Sequence, residues 1–425
     1  MITPHPHRAV PGSIPKYIIS PSKVCINYAT IKVYHMKIII GSESFSPNIS
    51  GVAIVTENLA HHFAKAGHQV FVFAPSETYK TYTDTRFKDL SVIRFQSIPN
   101  PFRKTFRVAF MAQQEIVREY IKIKPDIVHI QDPTSICSIL KKTARRHHVP
   151  IVAHNHFNLD YVTSYIKVLK IIHPLIHTLL RKYLTRFYNA CDAVICPTQT
   201  VLQTLSSWGI TTPLYAISNG VDIDRFYSWS NPSNFLLKYH IPRSPCVLYV
   251  GRLDIDKQID VFIRSIPFVL KHTQAHFIIA GDGGENKQLH ALARALNIDH
   301  AIEWLGWIDN ASDDLPILYQ IASVFVHPSP IETQSIVTLE AMASGLPIVA
   351  ARAGALPELV THGENGYLFE PGDATSCGTF ITKILGDSTR MHAMRKHSLE
   401  KVSSHQIDKS FDTIQTIYET LCARS

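Results

Sequence analysis

At 425 residues, 45% hydrophobic and 18% charged, the chain exceeds one core at about 150 residues per domain and can fill two or three, which excludes wholesale disorder and collagen-like repeats. No stretch approaches the roughly 18 uninterrupted apolar residues of a membrane-spanning helix, and no signal-peptide core follows Met1, so the sequence reads as cytoplasmic. The net charge of +8 is divided: 25 Lys and Arg stand against 11 Asp and Glu up to Gly220, and 17 against 23 beyond it.

A basic half fits a polyanion or an anionic membrane face. Its cations are not interleaved with aromatics in a nucleic-acid signature, so nucleic acid is not the expected partner. The seven cysteines are odd in number and scattered, with no CxxC and no histidine at zinc-finger spacing, and read as reduced thiols.

Residues 1–35 lack periodicity and read as a leader or a mis-assigned start. Met36 opens a short apolar run, 37–40, closed by Gly41. Strand and helix patterns then alternate, with strands at 69–75, 126–130, 150–153 and 193–196. After 228–245, rich in Ser, Asn and Pro and read as a linker, the pattern repeats at 246–250, 276–280, 324–326 and 347–350, with a helix at 261–270. This order predicts an α/β protein of two doubly wound domains, 36–227 and 246–400, facing across a ligand crevice. Residues 401–425 read as a helix that packs back on the first domain.

Between Tyr161 and Ala190 there are five cations (Lys167, Lys170, Arg181, Lys182, Arg186) and no acid. Tyr165, Leu169, Ile172, Ile176, Leu179, Tyr183 and Phe187 recur every three or four residues, which places them on one helical stripe opposite the cations. Two readings stand: a core helix with a solvated face, or a helix lying in an anionic lipid interface.

The strongest chemical signal is Glu332-Thr-Gln-Ser-Ile-Val-Thr-Leu-Glu340 followed by Ala341-Met-Ala-Ser-Gly-Leu-Pro347. A helix predicted over 336–343 presents amides around Ser335 and Ile336 that suit a diphosphate. Glu340, a turn further in, can accept hydrogen bonds from a ribose, and Glu332 from a sugar. The second signal is Val250-Gly-Arg-Leu-Asp254 with Lys257: a strand end followed by two cations that suit a pyrophosphate whose charge grows as its bond to a sugar breaks. Asp222-Ile-Asp224 and Asp254-Ile-Asp256 have the DxD form, yet no further ligands accompany them, and no metal or cofactor is expected. Residues 281–284 lack the GxGxxG spacing of a dinucleotide loop.

With Ser44-Phe-Ser-Pro-Asn-Ile-Ser-Gly-Val52, Ser218-Asn-Gly-Val-Asp222, Ala280-Gly-Asp-Gly283 and Gly363-Glu-Asn-Gly-Tyr-Leu368, these motifs resemble the retaining glycosyltransferases of family 4 with the GT-B architecture, from Met36 to about Pro371. The resemblance implies that Arg252 and Lys257 hold the donor diphosphate, Glu332 contacts the transferred hexose, Glu340 the ribose, and Gly51 approaches the phosphates. It places the active-site histidine at His156, with His154 the competing assignment, and offers Asp160 as an acceptor contact. Family members usually carry Gly where this chain has Ser335, whose side chain either narrows the site or adds a donor.

The stretches 128–133, 154–156 and 332–334 look most like transferases that glucosylate diacylglycerol at a membrane surface. The resulting expectation is a UDP-glucose-dependent enzyme, peripheral at the cytoplasmic membrane face, with a lipid acceptor. The alternatives are a transferase for another glycan or lipid-linked acceptor, and a catalytically silent sugar-nucleotide-binding protein.

Overall fold

The computed structural model describes residues 35–48, 50–100, 107–159, 173–228, 230–242 and 244–424. The leader, except His35, lies outside them, as do Asp160, Lys167, Lys170, Tyr165, Leu169 and Ile172.

The first half is built on an eight-stranded sheet in the spatial order Leu214–Ala216, Ala193–Cys196, Ile151–His154, Ile127–Ile130, Lys37–Gly41, Gln69–Pro75, Ser91–Phe95, Tyr82–Asp84. Only the last pair is antiparallel. Its central strands are buried on both faces, which is why they read as continuous apolar runs. Helices Gly51–Lys65 and Ile407–Cys422 cover one face, and helices Gln113–Ile123, Ser135–Arg146, His173–Tyr188 and Gln199–Ser207 the other.

The second half has a six-stranded parallel sheet in the order Ile302–Gly306, His276–Ala280, Cys246–Val250, Val324–His327, Ile348–Ala351, Gly366–Phe369. In each sheet the order reverses at the first strand of that half, Lys37–Gly41 or Cys246–Val250. Loops leaving those strands in opposite directions open a crevice at their carboxyl ends. The two doubly wound sheets are those of the GT-B fold.

Residues 228–245 are more than a spacer. They contain helix Ser233–Lys238, whose Phe235 is buried in the core of the second half. The chain then returns: Phe411, Ile414 and Tyr418 of the last long helix are buried against the first sheet, with the Tyr418 ring 5.0 Å from that of Phe63. His62 spans Asp408 and Asp412 of that helix at 3.3 Å each.

The amphipathic helix departs from its expected orientation. Within His173–Tyr188 the core-facing residues are Leu184, Phe187 and Tyr188, whereas Leu175, Leu179 and Tyr183 are exposed by 60%, 57% and 45%. The buried flank shares one apolar cluster with Ser135–Arg146 and Gln199–Ser207, and Tyr183 reaches sideways to donate to the Pro133 carbonyl at 2.6 Å. Lys182 and Arg186 therefore share the outward face with Leu175 and Leu179 rather than opposing them.

Candidate active site

The loops at the two switch points enclose a cleft of about 450 Å³ lined by both halves, a size that suits a small-molecule substrate. His156, Gly51, Arg252, Lys257, Glu332, Ser335, Ile336 and Glu340 all line it. Arg181, Lys182 and Arg186 are exposed elsewhere, on the outward helix.

Strand Cys246–Val250 ends at Gly251, whose φ of 149° and close approach to Gly281 turn the chain into the cleft. A Cβ on Gly281 would stand 1.9 Å from the Gly251 carbonyl oxygen, so the two loops can pack this closely only with glycine there. Arg252 pairs with Asp254 and lies 3.5 Å from Asp256, and Lys257 lies 3.6 Å from Asp256. The DxD carboxylates thus orient the two cations.

Lys257 Nζ also donates to Glu332 Oε1 at 2.6 Å, and His327 Nε2 lies 2.8 Å from the same oxygen. Burial alone would raise the Glu332 pKa, but Lys257 and His327 outweigh it and hold this carboxyl well below the usual range. Glu332 is consequently an anion. Its backbone is fixed from behind: the Ala355 amide donates to its carbonyl at 3.0 Å, and a Cβ on Gly354, at φ +54°, would meet that oxygen at 2.6 Å.

Helix Ile336–Ala343 starts at Ser335, and its first-turn amides have no acceptor within the helix. Ser335 has φ +85° and ψ 91°, where a Cβ is crowded and glycine is at ease. Its hydroxyl caps Thr338 N at 3.4 Å and lies 2.8 Å from Thr338 Oγ1. Relief of the backbone exceeds the lost cap, so Ser335→Gly should stabilise the fold by about 0.5–1 kcal/mol in denaturant unfolding. Destabilisation would show that the hydroxyl contacts dominate.

Glu340, one turn inward, is 4% exposed and accepts from Tyr319 Oη at 2.7 Å. Burial pushes its pKa up to about 7, against the smaller pull of Tyr319 and Arg225. Between its ordinary 4.5 and about 7 the folded chain holds a proton the unfolded chain has lost. The stability this contributes is complete below 4.5 and disappears as pH rises through about 7. Glu340→Gln should remove a decline on the order of 3 kcal/mol, measured from unfolding midpoints at about pH 5 and about pH 8.

Of the two competing histidines, His156 reaches the cleft. Its Nε2 lies 2.8 Å from Gln131 Oε1, and its ring stacks on His154 at 4.2 Å. His154 is 1% exposed and stands behind it, stacked in turn on His129, whose Nδ1 bonds Tyr418 Oη. Burial lowers the His156 pKa to about 3, so the ring is neutral at physiological pH. Gly51 begins helix Gly51–Lys65, and a Cβ built there meets no atom of the described residues within 4 Å. Since Gly51 lines the cleft, a side chain there would take space from an occupant.

The sequence assigns no separate role to His327, Tyr319, Gln334, Glu43 or Asp132, although Gln334 and Asp132 lie in the stretches 332–334 and 128–133 that carry the resemblance. His327 carried a signal, a polar residue closing an apolar strand. Gln334 joins the halves, accepting from Asn219 N at 2.9 Å and donating to Pro197 O at 3.0 Å and Ser218 Oγ at 2.8 Å.

Residues 49–225 match the Glycosyltransferase Family 4 profile, and residues 238–401 match Glycosyl transferases group 1. The chain belongs to glycosyltransferase family 4. It is 28% identical to the alpha-monoglucosyldiacylglycerol synthase of Acholeplasma laidlawii, covering 80% of this chain and 86% of that one. It is 27% identical to the sulfoquinovosyl transferase of Arabidopsis thaliana, covering 84% and 68%. In fold it is similar to HepE of Anabaena, solved with UDP-glucose, at a TM-score of 0.71 and 21% identity over 92% of this chain and all of that one.

Proposed function

We propose that this chain transfers a hexose, glucose in the first instance, from a uridine diphosphate sugar to a lipid hydroxyl, that of 1,2-diacylglycerol, with retention of configuration. The observation that carries the reading is the convergence of Arg252, Lys257 and the helix start at Ser335 and Ile336 on one cleft wall, with Glu332 and Glu340 on either side. A diphosphate held there meets fixed positive groups as charge builds on its departing oxygen. Attack by the acceptor on the face the diphosphate leaves gives retention without a protein nucleophile. The protein's contribution is then positioning and charge stabilisation, with His156 and Glu332 as hydrogen-bonding partners of the sugar.

The similarity to a monoglucosyldiacylglycerol synthase supports the lipid acceptor, and the fold shared with a protein solved with UDP-glucose supports the donor. The outward face of helix His173–Tyr188, with exposed leucines among Lys182 and Arg186, supports peripheral attachment to an anionic membrane on its cytoplasmic side. Among the described residues no helix is long and apolar enough to cross a membrane. Neutralising Lys167, Lys170, Arg181 and Lys182 should reduce co-sedimentation with anionic vesicles at least about tenfold, at about 1 kcal/mol per cation, and leave binding to neutral vesicles unchanged. Equal sedimentation of both forms would count against attachment by this segment.

The test of the reading is transfer of radiolabel from UDP-glucose, UDP-galactose and GDP-mannose into a mixed lipid extract. Label from UDP-glucose in a neutral glycolipid is expected. Label only in water-soluble glycan would favour the reading of another acceptor, and no hydrolysis or transfer from any donor would favour a silent binder.

A further inference from the structure

The wall that the first half gives the cleft is acidic. Glu43 and Asp132 line it beside Gln131, His156, Asn158 and Asn219, and no Lys or Arg of that half does so among the described residues. This is unexpected in a half with 25 Lys and Arg against 11 acids.

Both carboxyls are built into the fold. Asp132 Oδ2 accepts from the Glu43 amide at 2.7 Å and the Ser42 hydroxyl at 3.4 Å, and Thr134 donates to Oδ1. Glu43 Oε1 accepts from the Ile136 amide at 2.9 Å and from the Ser135 hydroxyl, at the first turn of helix Ser135–Arg146. Glu43 is 7% exposed, and its other oxygen, Oε2, has no hydrogen-bond partner among the described residues. An orphaned, buried carboxyl oxygen on a substrate cleft is costly unless something in the cleft donates to it. Burial first, and the neighbouring Asp132 second, push Glu43 up to about 7, and burial raises Asp132 as well. The two do not both ionise freely, and above about pH 7 Glu43 carries its charge, so the pair is negative there.

We infer that this pair selects the acceptor by charge: Glu43 Oε2 receives the hydroxyl of a neutral acceptor, and the pair's negative charge turns away acceptors whose head group is anionic. The inference rests on the transfer reading above and narrows its acceptor class. A neutral hydroxyl donates its proton to Oε2 in a charge-assisted bond. A phosphate or carboxylate in the same place offers no proton and meets like charge where water screens poorly. The donor's diphosphate avoids this wall, since Arg252 and Lys257 stand on the other half.

The test compares 1,2-dioctanoylglycerol with dioctanoylphosphatidylglycerol in neutral detergent micelles. Both offer a primary glycerol hydroxyl, and only the second is charged. Equilibrium binding and transfer from UDP-glucose are measured for the wild type, Glu43→Gln and Asp132→Asn, with UDP affinity as the control for folding. The wild type should favour the neutral lipid at least about tenfold in affinity and in kcat/KM, and each variant should narrow that ratio at least about fivefold through acceptor KM. Equal wild-type affinity for the two lipids, or an unchanged ratio in variants that still bind UDP, would overturn the inference. A neutral-lipid binding preference without transfer from any donor would support acceptor selection and sink the transfer reading.

Discussion

Glu332→Gln should lower kcat/KM by about 10²–10³-fold with little change in thermal unfolding, because a fixed charge that faces the reacting sugar is worth about 3–4 kcal/mol in a dry site. The amide keeps the volume and one acceptor, so Lys257 and His327 retain a hydrogen-bonding partner and the Gly354 contact behind the backbone is untouched. On the proposed reading, in which the carboxylate faces the sugar where positive character grows during transfer, the loss should fall in kcat. Transfer assays with unfolding curves check this. Wild-type activity in the variant would remove Glu332 from the mechanism.

Lys257→Met should cost at least as much as Glu332→Gln, and more than Arg252→Met. Either substitution removes a cation suited to the diphosphate, which predicts weaker UDP binding as well as slower transfer. Lys257 has a second role. Its ammonium is the strongest influence holding Glu332 ionised against burial, and without it only His327 opposes desolvation. The Glu332 pKa should therefore rise, and the transfer rate of Lys257→Met should gain a dependence on rising pH that Arg252→Met lacks. Calorimetric UDP titration and pH–rate profiles of the two variants separate these contributions. Identical profiles would show that the Lys257 and Glu332 charges are not coupled.

Much of the fold could be read from residue order because the central strands are buried on both faces. Residues 69–75, 193–196, 246–250 and 276–280 coincide with strands, and helix Ile336–Ala343 has the expected bounds. Edge strands escaped for a physical reason. Tyr82–Asp84 and Leu214–Ala216 are three residues long, too short for a period to show. Ser91–Phe95, one strand in from the edge, contains Arg94, which reads as a surface residue and is in fact 1% exposed, paired with Asp84 at 3.0 Å. Such a buried pair depends on two strands meeting, which local sequence does not encode.

The same distinction runs through the site. Arg252, Lys257, Glu332 and Glu340 stand in motifs whose spacing carries their chemistry. His327, Tyr319, Glu43 and Asp132 come from four different segments and acquire meaning only where those segments converge. For helix His173–Tyr188, periodicity locates an apolar stripe but not which flank its neighbours cover, and it does not show that Lys182 and Arg186 lie beside exposed Leu175 and Leu179. Ser335 departs from the glycine that the family resemblance implies, and the reason glycine suits the position, a φ of +85°, lies in the backbone.

The most direct test of the central claim is a crystal structure of the wild-type protein with UDP. The diphosphate should lie within hydrogen-bonding distance of Lys257 Nζ, the Arg252 guanidinium and the Ile336 amide, with the ribose hydroxyls at Glu340. A diphosphate bound elsewhere, or held without any of those three groups, would contradict the account.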